Sequence, residues 1–340
     1  MGKIKYFVGI DIASEDFTSS IFAGPEQPPV VKEKSPNSPE GFQCLINWLK
    51  DQGIAKDNCI VCMENTGVYC EHVCYFLYTN GYSVVTESPH KVKRAFHELT
   101  KNDRVDSRQI AEYAYRFLDQ LSPWKPDNQI LEQVKVLYAT REQFTKQLIA
   151  NTNALQAIKR KVVQTALANK SYELIIKNLK ERRKAIDEEI AKLINGNPRY
   201  KKLTDIADSV PGVGKPLAGS LMVITDAFTC NLAYRNLSSL IGIAPLEHTS
   251  GKSVRRKNRS RRHGHPRIRK LLHLAARSVA THVDEFRKYY LRKLEQGKPP
   301  KLIYNNIANK LLKIICAVIQ SETPYIKNYK SVNPLYLKKA

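Results

Sequence analysis

The positive charge of this 340-residue chain lies entirely in its last two-thirds, and this division constrains the fold more than any other feature of the sequence. Residues 1–106 carry 11 Lys and Arg against 14 Asp and Glu, a net charge of −3, whereas the remainder carries 44 against 18, a net charge of +26. A surplus of this size repels itself unless a polyanion neutralises it. The sequence therefore predicts a near-neutral N-terminal module, followed by a region that binds nucleic acid or an acidic surface.

Short apolar runs alternate with helical patterns through the N-terminal module. Residues 6–12 and 17–22 predict two strands joined by a tight connection, and residues 59–63 and 83–86 predict two more buried strands. Ser38, Pro39 and Glu40 precede a helical spacing of apolar residues, as at a helix start. Strands interleaved with helices in this order predict a mixed α/β sheet.

Four carboxylates stand at positions where such a sheet would bring them together. Asp11 lies inside the first strand, where an unpaired acid is costly to bury, and Glu64 ends a later strand. Asp103 and Asp106 are three residues apart at the start of a helical pattern, so they share a face. A helical D-x-x-D alone is more often a solvated face, but the full set is more specific. Converging carboxylates repel unless cations lie between them, and hard oxygen ligands suit a two-Mg²⁺ site acting on a phosphodiester.

Here the chain resembles a known family. GID near the N-terminus, MENTG in the middle and K-x-D-x-x-D at the end of the module resemble the DEDD transposases of bacterial insertion sequences. The resemblance implies an N-terminal domain similar to the RuvC form of the ribonuclease-H fold. It also implies a catalytic, Mg²⁺- or Mn²⁺-binding tetrad made of Asp11, Glu64, Asp103 and Asp106. The sequence departs from the commonest KTDxxDA form at Asn102 and Ser107, neither of which is an expected ligand.

The cysteine pattern has a second interpretation. Cys59-x-x-Cys62 followed by Cys70 and Cys74 superficially suggests zinc. However, residues three apart on a strand face opposite sides, so buried packing is the expected role. Seven cysteines in a chain of this size do not form a disulfide framework, and a reducing compartment is expected.

The middle of the chain predicts two long helices. Apolar residues at alternating spacings of four and three run from Ile130 to Val162, with Arg141 and Asn151 as polar interruptions. The pattern is expected to break at residues 169–171, to resume at Tyr172 and to stop at residues 195–198. An intramolecular hairpin and a dimerisation arm both fit this spacing. The family resemblance implies a coiled coil that associates subunits.

Two glycines mark the first nucleic-acid motif of the basic region. Val210-Pro-Gly-Val-Gly214 lies between two helical patterns and resembles a helix-hairpin-helix element. In such an element, Gly212 and Gly214 would let backbone N–H groups approach a phosphate without reading sequence.

The second family signature predicts the nucleophile. An apolar segment ending in Gly-Ile-Ala-Pro245 is followed by Glu-His-Thr-Ser-Gly251, and the resemblance assigns Ser250 as the nucleophilic serine in preference to Ser253 or Ser260. A serine hydroxyl needs a base or a metal to activate it. His248 would face the same side only if this segment is extended. Without the resemblance, Ser-Gly is an ordinary turn.

Residues 251–270 contain ten Lys and Arg and no acid, which predicts phosphate contacts. The expected contacts are Lys252, Arg255, Arg256, Lys257, Arg259, Arg261, Arg262, Arg267 and Arg269. His265 replaces the asparagine of the family's Gly-Asn-Pro-x-Leu-Arg element. It and His263 are expected at phosphates rather than at a metal.

We therefore expect four segments. These are a RuvC-like metal-binding α/β domain (1–127), an α-helical coiled-coil segment (128–198), a mainly α-helical C-terminal transposase domain (199–325) and a basic tail (326–340). No secretory signal and no membrane span of about 20 apolar residues is found, so the expected location is the bacterial cytoplasm, at the nucleoid and not in a membrane.

Three functions remain open. The family resemblance favours a bridge-RNA-guided DNA recombinase or transposase. It implies donor and target DNA, a non-coding guide RNA and a homodimer that assembles to a tetramer on DNA. The alternative is a RuvC-like Mg²⁺-dependent junction endonuclease in which water is the nucleophile. A non-catalytic nucleic-acid-binding protein is the third hypothesis, and the four spaced acids speak against it.

Overall fold

The chain divides into two compact units, Met1–Pro126 and Asp127–Ala340. The structure is a computed structural model that describes residues 4–96, 102–126, 128–230, 233–250, 254–260 and 264–327, without the side chains of 246–250 and 254–259. Within these residues it is a mixed α/β unit followed by a mostly helical one. This confirms the predicted order of an α/β N-terminal part followed by a mainly helical one.

The first unit is built on one five-stranded sheet. Its strands are β1 (Tyr6–Ile12), β2 (Asp16–Phe22), β3 (Val30–Pro36), β4 (Cys59–Glu64) and β5 (Ser83–Glu87), in the spatial order β3-β2-β1-β4-β5. β1, β2 and β3 pair antiparallel, whereas β1, β4 and β5 pair parallel. The mixed sheet is confirmed. β4 lies inside the sheet between β1 and β5 and is almost wholly buried, which explains its uninterrupted apolar sequence.

Helices cover both faces of this sheet. α1 (Pro39–Asp51) and α2 (Val68–Thr79) pack on the face that carries Val8, Ile10 and Val61. α3 (Pro89–Ala95) and α4 (Asp103–Arg116) pack on the opposite face, and a short 3₁₀ turn, Leu118–Gln120, follows. The predicted start of α1 is confirmed, since the Ser38 hydroxyl accepts a hydrogen bond from the Gly41 N–H at 3.4 Å.

The second unit begins with two paired 30-residue helices, α5 (Gln129–Ile158) and α6 (Ala166–Asn195). Their predicted seam positions are at least half-buried through Ile158, whereas Val162 lies beyond the helix and is fully exposed. The polar interruption at Arg141 is explained, because its guanidinium donates to both carboxylate oxygens of Asp187 on α6.

The predicted break at residues 169–171 is wrong. These residues lie inside α6, and the connection between the helices falls at 159–165 instead. Polar residues are tolerated in a helix wherever their side chains face water, so they do not by themselves end it. The Ser171 hydroxyl donates a hydrogen bond to the Leu167 carbonyl at 2.7 Å within the helix. The predicted stop at 195–198 is confirmed, since α6 ends at Asn195 and the next helix begins at Pro198.

Six further helices and one hairpin complete the described part of this unit. They are α7 (Pro198–Asp208), α8 (Lys215–Ile224), α9 (Tyr234–Ile241), β6 (Pro245–Ser250), β7 (Val254–Ser260), α10 (Pro266–His282), α11 (Asp284–Glu295) and α12 (Pro300–Gln320). Their apolar faces share one core with the base of the α5–α6 pair.

α12 has the length and composition of a membrane-spanning helix, with a mean hydropathy of 1.4 over its most apolar window. Half of that window is buried inside the protein, where Ile303, Ile307 and Leu311 are fully covered by the core. The apolar sequence of α12 is accounted for by this packing.

Candidate active site

Three carboxylates stand at the carboxyl ends of the parallel strands. Asp11 is the penultimate residue of β1. Glu64 and Glu87 are the final residues of β4 and β5, and they lie opposite each other in the parallel pairing of these strands. Successive side chains along a strand point to opposite faces, so residues two apart share a face. Gly9 lies directly under α4, and Asp11, two residues further along β1, is therefore on the same face. Asp11, Glu64 and Glu87 therefore occupy one edge of the sheet on the face covered by α4. We call this the acidic edge.

Helix α4 brings the D-x-x-D pair to the same edge. A Cβ atom on Gly9 would lie 2.1 Å from the Ser107 carbonyl oxygen and 2.3 Å from the Ala111 nitrogen, so the helix rests directly on the backbone of β1. Further along α4, the ring of Tyr115 lies 5.4 Å from that of Phe7. α4 therefore runs opposite to β1, and its first turn, which contains Asp103 and Asp106, lies towards the end of β1 that carries Asp11.

The two departures from the family motif both have structural roles. Asn102 is the N-cap of α4, and its side-chain oxygen accepts a hydrogen bond from the Val105 N–H at 2.9 Å. Ser107 is completely buried between helix and sheet, where its hydroxyl lies 2.7 Å from that of Ser20. Both residues position α4; that neither is a metal ligand remains a prediction.

The donor atoms of the acidic edge suit a hard cation. Carboxylate oxygens are the ligands that Mg²⁺ and Mn²⁺ prefer. Asp11, Glu64 and Asp106 are half-buried, and Asp103 is exposed. Nevertheless, no three His, Cys, Asp or Glu side chains in the described residues are gathered closely enough to hold a metal ion. The four carboxylates of the predicted tetrad therefore lie at one edge of the sheet and on one of its faces, but they are not close enough together to coordinate one metal ion.

Glu87 is a member of this edge that the sequence analysis did not single out. Its carboxylate accepts hydrogen bonds from the Ser88 N–H at 2.8 Å, from Lys91 at 3.1 Å and from the Tyr113 hydroxyl at 3.5 Å. Burial raises the pKa of Tyr113, and the charge of Glu87 adds to this effect. Glu87 therefore ties α3 and α4 to the end of β5. Its position at the end of an apolar strand, like that of Glu64, was the available signal.

The cysteines of β4 diverge as predicted. Cys59 is buried on the face covered by α1 and α2, and Cys62 on the face covered by α4. Burial raises the pKa of each thiol to about 12, so both are protonated at neutral pH and serve as packing. Cys70 and Cys74 on α2 are also buried, and the Cys70 thiol donates to the Gly67 carbonyl at 3.2 Å.

The PGVG segment joins α7 and α8 in a tight turn. Val210 and Val213 are buried, whereas Gly212 and Gly214 face solvent. Gly212 has a left-handed backbone (φ 79°), and a Cβ atom there would lie 2.6 Å from Val279 on α10. The segment lies between two helices, as predicted; its role as a helix-hairpin-helix element remains a prediction. Contact of its glycines with a phosphate remains a prediction.

Ser250 is the last residue of β6, next to the tip of a β-hairpin. β6 and β7 pair antiparallel, with Ser250 opposite Val254, Thr249 opposite Arg255 and His248 opposite Arg256. The backbone from 245 to 250 is extended, which is the condition under which His248 and Ser250 would share a side. Their side chains lie outside the described part of the chain.

The base of the hairpin is held firmly at both ends. At its start, the side-chain amides of Asn305 and Asn309 on α12 each donate to the Ile243 carbonyl at 3.1 Å. At its end, a Cβ atom on Gly264 would lie 2.6 Å from the Ile241 carbonyl oxygen, so the returning chain packs against the end of α9. The residues just before β6 and just before α10 are therefore both packed against the helices of this unit.

The predicted phosphate contacts fall into three groups. Arg255, Arg256, Lys257 and Arg259 lie on β7, although their side chains are not described, and Lys252, Arg261, Arg262 and His263 lie outside the described residues. Arg269 is half-buried on α10. The guanidinium of Arg267 lies over the ring of Tyr138, 4.2 Å from its centroid, so it packs against α5.

A mixed sheet with carboxylates at one edge, followed by a basic helical unit, is compatible with a protein that acts on DNA, and comparison with known proteins identifies the class as transposases. A family model described as Transposase matches residues 8–164, and a second, described as Transposase IS116/IS110/IS902 family, matches residues 204–291. Together they match more than two thirds of the chain and account for both sequence signatures. The chain belongs to the IS110 family of transposases.

Several relatives match this chain over most of their own length. The "Pilin gene-inverting protein" of Moraxella bovis is 26% identical over 328 residues, which span 95% of this chain and 98% of the relative. The corresponding protein of Moraxella lacunata matches over the same lengths. A "Probable family 20 transposase" of Pseudomonas aeruginosa is 24% identical over 78% of this chain and 86% of its own length.

Proposed function

We propose that this transposase cleaves and rejoins DNA through a covalent phosphoserine at Ser250, with divalent metal held at the acidic edge and with target choice directed by a guide RNA. The observation that carries the proposal is the placement of Asp11, Glu64 and the first turn of α4 at one edge of the sheet. The mixed sheet with helices on both faces is consistent with the RuvC-like form that the family resemblance implies.

In the proposed reaction, the Ser250 oxygen attacks a DNA phosphorus atom. A new P–O bond forms, one P–O bond to a sugar breaks, the serine proton leaves to a base, and the freed sugar oxygen gains a proton. Mg²⁺ held by Asp11, Glu64, Asp103 and Asp106 would supply positive charge to the phosphate oxygens. The guanidinium and ammonium groups of β7 are suited to the same task at the hairpin.

Rejoining follows from the same chemistry. The phosphoserine bond keeps the energy of the broken phosphodiester, so a second sugar hydroxyl can displace the serine without an added cofactor. The Moraxella relatives are named as gene-inverting proteins, and inverting a DNA segment requires every cut strand to be rejoined. This favours a covalent intermediate over hydrolysis.

The other parts of the proposal concern assembly. The seam between α5 and α6 is filled within one chain, but Val163 and Leu167, near the far end of the pair, are 84% and 74% exposed. A second copy packing on this end would make the homodimer, and two dimers on DNA the tetramer, in which one subunit supplies the serine and another the tetrad. DNA binding of this kind would place the protein at the nucleoid.

The test is to trap the intermediate. The full-length protein is incubated with Mg²⁺, labelled duplexes carrying the DNA that flanks its gene, and RNA transcribed from the adjacent non-coding segment. Products are run on denaturing gels with and without protease. We expect a protease-sensitive adduct with the wild type, none with Ser250→Ala or Asp106→Asn, and unchanged adduct with Ser260→Ala, the matched serine at the exposed end of β7.

Two results would contradict the proposal in different ways. An adduct formed by Ser250→Ala would refute the serine assignment. Free nicked ends that need Mg²⁺ and Asp106, but never an adduct, would instead identify a junction endonuclease with water as its nucleophile. If adduct formation is equal with and without the RNA, the guide-RNA part of the proposal is wrong.

A further inference from the structure

Helices α11 and α12 form a basic, tyrosine-containing surface that the reaction above does not use. Residues 287–301 contain six Lys and Arg and one Glu, with two tyrosines and two leucines among them. The second family model ends at residue 291, so the latter part of α11 and all of α12 lie beyond it. The surface therefore extends across the end of the region that the second family model matches.

Four residues of α11 form one continuous stripe. Arg287, Tyr290, Leu291 and Leu294 follow the spacing i, i+3, i+4 and i+7, which places them on one side of a helix. Leu291 and Leu294 are 46% and 43% exposed. The ring of Tyr290 stacks on that of Tyr304 from α12, with centroids 5.1 Å apart and planes at 23°. We call these four residues, together with Tyr304, the tyrosine–leucine stripe.

The stripe is rigidly mounted. Phe286, one turn before Tyr290, is 1% exposed in the core, and Lys310 of α12 lies 5.3 Å from its ring centroid. Lys310 also forms an ion pair with Glu285 at 2.9 Å. These contacts fix α11 against α12, so the exposed leucines and the stacked tyrosines cannot withdraw into the core without breaking them.

The chemistry of the stripe selects its partner. A second copy of this chain would bring another segment with six cations and one acid against it, and the two would repel. A DNA duplex presents phosphates but offers no exposed base faces for leucine and tyrosine to cover. An unpaired strand presents both, since its phosphates contact Lys and Arg while its bases stack on aromatic and apolar side chains.

We infer that the tyrosine–leucine stripe binds single-stranded nucleic acid. Arg287 belongs to the stripe and would contact a phosphate, and the stacked tyrosines and exposed leucines would cover one or two bases. The inference is independent of the serine chemistry, because it concerns binding and not strand exchange.

The experiment measures binding with cleavage disabled. Full-length protein carrying Ser250→Ala is titrated with three labelled 20-mers of one sequence (single-stranded RNA, single-stranded DNA and duplex DNA) at several salt concentrations. Leu291→Ser/Leu294→Ser removes apolar surface and no charge. Tyr290→Leu keeps the contact with Tyr304 and removes the ring. The matched control, Lys288→Ala/Arg292→Ala, removes two charges from the same helix away from the stripe.

Both stripe variants should weaken single-strand binding about tenfold, the loss of roughly one stacked base, and leave duplex binding within about twofold. Their salt dependence should not change, whereas the control should alter single-strand and duplex affinities by one common factor. If the variants lose affinity for single-stranded RNA alone, the natural ligand is RNA; if they lose affinity for single-stranded RNA and single-stranded DNA alike, the stripe binds either. Unchanged single-strand affinity, an equal loss for the duplex, or a change in subunit number on sedimentation would overturn the inference.

Discussion

Substituting Gly9 by alanine tests whether helix packing assembles the acidic edge. The new Cβ atom would lie 2.1 Å from the Ser107 carbonyl oxygen and 2.3 Å from the Ala111 nitrogen, whereas Cβ contacts below 3.0 Å are essentially never seen. Both obstacles are backbone atoms, so no rotamer change relieves them. α4 must move outward by roughly 1 Å, and overpacking of this kind costs about 1–3 kcal/mol.

The displacement has a chemical consequence as well as an energetic one. Asp11 stays with β1 while Asp103 and Asp106 move with α4, so the carboxylates separate. A misplacement of about 1 Å in a catalytic group can lower a rate by roughly 10²-fold. We therefore expect Gly9→Ala to reduce adduct formation by about that factor at 20 °C, where the protein is still folded, and to leave DNA affinity unchanged.

Urea unfolding and adduct formation are measured side by side, with Ser20→Ala as the control. That variant removes the 2.7 Å bond to Ser107 at the same interface and should cost about 0.5–1.5 kcal/mol without moving the helix. Its activity should remain near that of the wild type. If Gly9→Ala retains both wild-type stability and wild-type activity, α4 does not rest on β1 as described, and the assembly of the acidic edge must be explained differently.

Two further predictions concern the second unit. Partial desolvation lowers the pKa of His265 in the fold below the unfolded value of 6.5. The neutral form therefore contributes stability that is complete above pH 6.5 and is lost as pH falls from there through the lower folded pKa. In His265→Asn, the unfolding free energy should therefore fall less between pH 7.5 and pH 5.5 than it does in the wild type. Asparagine at this N-cap should also add about 0.5–1 kcal/mol of stability at pH 7.5. Equal pH dependence in the two proteins would contradict the prediction. Arg141→Met and Asp187→Asn should show a coupling of about 1 kcal/mol in a double-mutant cycle, because the pair is bidentate and Arg141 is only 19% exposed. Strictly additive effects would mean that the pair does not hold α5 to α6.

Glu87 shows why the acidic edge was only partly predictable. Asp11 and Glu64 were recognised because each falls in or after an apolar run and matches a family motif. Glu87 ends the next strand in the same way, but it carries no motif, and its neighbours Lys91 and Tyr113 come from two different helices. Only the parallel pairing of β4 with β5 places it opposite Glu64.

The sequence by itself determined the order of elements and the division of charge. Apolar runs bounded by polar residues predicted β1, β2, β4 and β5, but not the more polar β3, β6 and β7. A Ser-Pro-Glu sequence predicted the start of α1, and a spacing of four and three predicted the faces along which α5 and α6 pair. These features are local, since each depends on the period of the backbone and on the residues within a few positions. The one misplaced boundary, at 169–171, arose because polar residues can sit on the exposed side of a long helix.

The tertiary structure alone decided which distant residues meet. Gly9 appears in the sequence only as the first residue of GID, yet its missing side chain is what lets α4 lie on β1. Asn305 and Asn309 look like ordinary residues of an apolar helix, yet both amides hold the strand that leads to Ser250. Such contacts depend on closing the chain over tens of residues and on filling a shared core, and no local spacing encodes either.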